Sequence, residues 1–106
     1  MPYAGAFASH SEQILVPHID AIENNLDLIF ETLNGESGTG SEGGDFSFVV
    51  RPFPKIKLYY IFYRADEDFS ASTTCLFSNN ALSFLTVDAL ADTGEYTSKK
   101  IIELIT

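Results

Sequence analysis

The residues in this 106-residue chain that could do chemistry are few. The densest group is Arg64-Ala65-Asp66-Glu67-Asp68, three acids beside an arginine. Such a cluster can bind a hard cation or a basic partner, or hold a proton acceptor. It lacks the 1, 3, 5 spacing and the glycine of a calcium loop, so partner binding is the sharper functional reading. The bland reading is a solvated turn whose carboxylates Arg64 satisfies locally at little energetic gain. Cys75, the only cysteine, lies between Thr74 and Leu76 in an apolar run with no electropositive neighbour, as expected of a packed core thiol. The two histidines, His10 and His18, would stand about 12 Å apart along a helix and about 80° apart around it, too far to share an ion. No metal site and no cofactor is expected. With no G-x-S-x-G or H-E-x-x-H pattern, the residues give no support to a nucleophilic or zinc-dependent hydrolase.

The acidic cluster must be positioned by the stretch on either side of it. Ile56–Tyr63 and Thr73–Phe77 read as two β-strands joined by a polar connection of hairpin length. Alternation puts Ile56, Leu58, Tyr60 and Phe62 on a core face, and Lys57, Tyr59, Ile61 and Tyr63 on the other. That second face is too apolar for water and fits an interface, since aromatics with polar tips suit half-exposed surfaces. Tyr59, Ile61, Tyr63, Arg64, Asp66, Glu67 and Asp68 are therefore the candidate ligand- or partner-binding residues; none is a catalytic candidate.

Around the hairpin the chain reads in order. Ser9–Glu12 has the spacing of a capping box, so a helical region is expected near 10–34, broken at Pro17 or at Asn24-Asn25 and ended by Asn34-Gly35. Gly35–Asp45 holds five of the seven glycines and is expected to be a flexible loop. It is no phosphate loop, because no lysine follows the glycines and a strand, not a helix, comes next. Phe46–Val50 alternates as a strand, which Arg51-Pro52-Phe53-Pro54 should break. Thr86 can cap a closing helix near 87–105, with Val87, Leu90, Ala91, Gly94, Ile101, Ile102 and Ile105 on one face. The expected fold is a single α+β domain over 1–106: a small antiparallel sheet of about three strands, with the N-terminal helical region and the C-terminal helix packed on one face.

Several of these stretches together resemble a known family. Phe53-Pro54, the strand Ile56–Phe62, Asp66-Glu67-x-Phe69, the small-residue strand Ala71–Phe77 and the closing helix are similar to the C-terminal half of the bacterial and archaeal family catalogued as domain of unknown function 3786. The resemblance extends loosely to Phe7 and the N-terminal helices, and implies that the N-terminal portion of the usual family domain is missing. Ser70, Ser78 and Thr86 depart from the family's Pro, Asp and Pro. The family is uncharacterised and implies no activity. Some relatives carry an added iron–sulfur domain, but one cysteine cannot supply a four-thiolate site.

Net charge of −9 argues against nucleic acid and anionic membranes as partners. No apolar run is long enough to span a bilayer, the N-terminus lacks the basic region of a secretory signal, and a single cysteine suits a reducing compartment, so a cytoplasmic location is expected. Two function classes stay open. One is a non-catalytic interaction or assembly module, a homodimer through Tyr59, Ile61 and Tyr63 or a complex with another protein. The other is a small-ligand-binding domain, or a subunit of an enzyme whose site needs another chain. A pocket joining Tyr59, Tyr63, Arg64 and Asp66 to a perturbed carboxylate would favour the second.

Overall fold

The structure is a computed structural model and describes residues 12–38, 44–53, 55–78 and 86–106. The helical region opens with a 3-10 segment, Gln13–His18, which accommodates Pro17, and continues as helices α1 (Ile19–Asn24) and α2 (Leu26–Leu33). The two expected breaks are both present. Pro17 lacks the amide an α-helix would use, and Asn25 interrupts the ladder while its side-chain amide donates to the Ala21 carbonyl at 2.7 Å. Asn34 then stops α2 in the left-handed conformation at φ 54°. Ser9 and His10, where the capping box and helix start were expected, lie outside the described residues.

Among the described residues four antiparallel strands follow in spatial order β1-β2-β3-β4: β1 (Glu36–Ser37), β2 (Phe46–Phe53), β3 (Ile56–Tyr63) and β4 (Ser72–Phe77). This corrects the sequence reading at two places. Glu36 and Ser37, placed in the loop 35–45 by their composition, pair with Val49 and Phe48 and add a short edge strand. The second strand also does not stop at Val50 but runs through Pro52 to Phe53. Its register with β3 shifts between Val50 and Phe53, and the irregularity accommodates a proline that a regular central ladder would reject.

All the helical elements lie against one face of the sheet. Phe48, Val50, Leu58, Tyr60, Phe62 and Cys75 from the strands meet Leu15, Ile19, Ile22, Ile29 and Ile101 from the helices in one core. Aromatic packing runs across the strands: Phe46 stacks on Phe62 with centroids 4.7 Å apart, and Phe30 of α2 meets Phe48 edge-on at 5.8 Å. The closing helix α3 (Val87–Ile105) begins at Thr86, whose hydroxyl accepts the Ala89 N–H as expected of an N-cap. Its buried side carries Leu90, Gly94 and Ile101, together with Thr97 and Ser98, which hydrophobic spacing alone does not pick out.

Candidate functional site

The hairpin between β3 and β4 positions the acidic cluster, and the cluster is largely engaged within the chain. Asp66 Oδ1 accepts the backbone N–H of Asp68 at 2.8 Å and of Phe69 at 2.7 Å, while the Asp66 N–H donates to the Phe69 carbonyl at 2.9 Å. An aspartate that closes its own turn in this way is structural first. Arg64 reaches back to the first helices. Its guanidinium pairs with Asp20 at 3.2 Å and with Glu23, lies 5.6 Å from the Phe46 ring centroid, and has its pKa raised first by the Glu23 hydrogen bond and then by Asp20. The Arg64 backbone N–H donates to Asp45 Oδ2 at 2.6 Å. Arg64 thus satisfies acids of the helices, not those of its own turn. Glu67 and Asp68 remain exposed.

That turn holds out one residue absent from the sequence-derived site. Phe69 is 74% exposed, the largest exposure of any large hydrophobic side chain described. With Tyr63, Asp45, Arg64 and Asp66 it lines an open groove of about 550 Å³. The groove unites Tyr63, Arg64 and Asp66 as the ligand-binding alternative required, but Tyr59 is not among its lining residues. A sequence signal for Phe69 existed, since an Asp able to close a turn lies three residues before an aromatic in an otherwise polar stretch.

On the outer sheet face the expected patch is uneven. Ile61 is only 5% exposed and Val49 is also buried, whereas Tyr59 is half-buried and Tyr63 and Leu76 are exposed. Gly44 contributes to this cover, for a Cβ there would stand 2.7 Å from the Ile61 side chain, and its φ of 76° suits glycine. A partner at this face would meet the tyrosines and Leu76, not Ile61.

A second polar cluster sits inside the fold. Tyr60 is fully buried on β3, and its hydroxyl shares a 2.8 Å hydrogen bond with Ser98 Oγ of α3. Cys75 stands opposite Tyr60 on β4. Burial, reinforced by the nearby Glu12 charge, pushes the Cys75 thiol far above its ordinary range, and the phenol of Tyr60 is raised chiefly by burial as well. Cys75 is therefore the inert core thiol expected. Glu12 Oε2 accepts the Cys75 backbone N–H at 2.6 Å; desolvation raises this carboxyl's pKa more than the hydrogen bond lowers it. Among the described residues the one perturbed carboxylate thus lies at Glu12, which is not among the groove's lining residues. Among the described residues no group of three or more His, Cys, Asp or Glu could hold a metal ion, and His10 lies outside them.

These elements define a two-layer α+β domain whose titratable centre is buried and whose exposed aromatic sits on a hairpin. The family model described as domain of unknown function (DUF3786) matches residues 1–100, and the chain belongs to that family. The match takes in the N-terminal helices as well as the hairpin and closing helix, so it is not confined to a C-terminal part of the chain. No curated protein and no solved structure matches it.

Proposed function

We propose that this protein is a non-catalytic interaction module that docks onto another protein, a second copy of itself or a different chain, through the hairpin tip and the adjoining outer edge of the sheet. The observation that carries this reading is Phe69, exposed on a turn held closed by two hydrogen bonds to the Asp66 carboxylate and one from the Asp66 N–H. An aromatic on a backbone already fixed loses less entropy on docking than one on a free chain, and such residues anchor interfaces. Tyr63 and Leu76 extend the exposed apolar surface, and Glu67 and Asp68 form a charged rim. A partner with a hydrophobic notch bordered by basic side chains fits this arrangement, because complementary charge speeds and orients encounter. Among the described residues no helix is long and apolar enough to cross a membrane. The single cysteine supports a cytoplasmic setting, since it suits a reducing compartment.

The test is photo-crosslinking in cells with a benzophenone amino acid at position 69, against the same group at the exposed Asp27 of α2. The reading requires a discrete protein adduct at 69 that 27 does not give, and the adduct's mass tells a second copy from another chain. Equal yields at the two positions would reject it.

A further inference from the structure

The far end of the sheet carries a second cleft. Phe53 ends β2 opposite Ile56, the first residue of β3, whereas the hairpin follows the last residue of β3. Eight residues of extended strand separate the two ends by about 23 Å. Here the C-terminus of α2, the end of β2 and the first half of α3 enclose about 500 Å³, a volume in the range of small-molecule sites. Two aromatic residues line it from different elements, Phe53 at 43% and Tyr96 at 70% exposure, both unusually open for their size.

The polar groups of the cleft are biased in one direction. Arg51 is already neutralised: one guanidinium nitrogen pairs with Glu36 at 3.0 Å and another donates to the Asn34 carbonyl at 3.3 Å. Thr93 and Thr97 donate their hydroxyl protons back to the Ala89 and Thr93 carbonyls, each at 2.7 Å, so both oxygens retain only acceptor capacity. Asp92 makes no ion pair among the described residues and stands one helical turn before Tyr96, on the same face of α3. The remaining capacity is therefore an unmatched carboxylate, hydroxyl acceptors and two aromatic rings, in a protein of net charge −9.

We propose that this cleft binds a small organic cation, an amine or alkylammonium with an apolar body, whose charge lies on Asp92 and whose body lies against Phe53 and Tyr96. Aromatic faces attract cations, the carboxylate completes the charge, and the acceptors take the ammonium protons. An anion of the same shape would meet Asp92 as a repulsive neighbour, and Arg51 is already engaged. The site is independent of the protein-docking reading, since it shares no residue with the hairpin tip.

The experiment is titration of the folded, isotope-labelled chain with phenethylammonium and, separately, with 3-phenylpropionate, followed by amide NMR. The proposal expects saturable shifts at residues 53, 92 and 96 with the amine, with affinity falling at least about tenfold in Asp92→Asn, as for loss of a charge-assisted bond. Tyr96→Ala should weaken the amine as well, and a well-dispersed spectrum verifies that each variant is folded. Preference for the propionate, an unchanged amine affinity in Asp92→Asn, or no shift at these residues up to about 10 mM, beyond the millimolar limit of useful affinity, would each overturn it.

Discussion

Glu12 and Cys75 are joined across 63 positions of the chain by a hydrogen bond from the Cys75 backbone N–H to the Glu12 carboxylate at 2.6 Å. In antiparallel pairing, hydrogen-bonded and non-bonded pairs alternate, and the Ser78 N–H donates to the Lys57 carbonyl. Counting back, Cys75 falls in a non-bonded pair, so its N–H points outward along the open edge of β4. Glu12 closes that edge, where an unpaired strand invites the wrong partner.

Glu12→Ala should therefore destabilise by about 1–3 kcal/mol, the cost of orphaning a sheltered donor, whereas Glu12→Gln keeps an acceptor there. The pH dependence has a definite sign. The folded-state pKa of Glu12 is raised, so this group favours folding below its unfolded pKa and loses that contribution as pH rises through the folded value. The stability of Glu12→Gln relative to wild type should grow between about pH 4 and 7, where a raised carboxyl pKa acts. Urea midpoints across that range measure it, and a variant that instead loses ground as pH rises would reverse the assignment.

Much of this fold was legible in the sequence, for stated reasons. The alternation in Ile56–Tyr63, the break at Pro17 and the Thr86 cap are local signals, and each appears where spacing put it. Glu12 was readable only as half of a capping box, because nothing in a sequence reports a contact 63 residues away. β1 was missed because two exposed polar residues carry no periodicity, and Pro52 hid the continuation of β2 because the register shift that tolerates it is a tertiary feature. Of the candidate site, the acidic turn was found but the hydrogen bonding around it was not. The acids that Arg64 binds belong to the helices, and Phe69 stood in the motif without its exposure being visible.

The facing of β3 can be tested directly. Phe62 is fully buried and stacks on Phe46, so Phe62→Ala should cost about 3–5 kcal/mol. Lys57 is exposed on the same strand, and Lys57→Ala should stay within about 0.5 kcal/mol. Similar losses in the two denaturation curves would invert the strand.

Tyr60 and Ser98 should behave as a coupled pair. Their 2.8 Å bond links β3 to α3 inside the core. In a double-mutant cycle of Tyr60→Phe and Ser98→Ala, the coupling should be on the order of 1 kcal/mol. Strict additivity of the unfolding free energies would mean that the bond does not hold the helix to the sheet.

Thr73 offers the opposite case. Its hydroxyl is buried on the core face of β4 and has no hydrogen-bond partner among the described residues. Thr73→Val replaces that hydroxyl by a methyl of similar shape and should stabilise by about 1 kcal/mol or more, the desolvation cost of an unsatisfied group. A rise in the thermal midpoint is expected; a fall would show that the hydroxyl has a partner in solution.

If Phe69 anchors docking without supporting the fold, the two can be measured apart. A photo-crosslinking amino acid at the exposed position 67, beside the tip, reports docking without altering Phe69. Adduct yield from position 67 is then compared in cells between the otherwise wild-type chain and Phe69→Ala, alongside their denaturant midpoints. The account predicts that Phe69→Ala removes the adduct while stability stays within about 0.5 kcal/mol, as surface changes usually do. An undiminished adduct in a folded Phe69→Ala chain would contradict it.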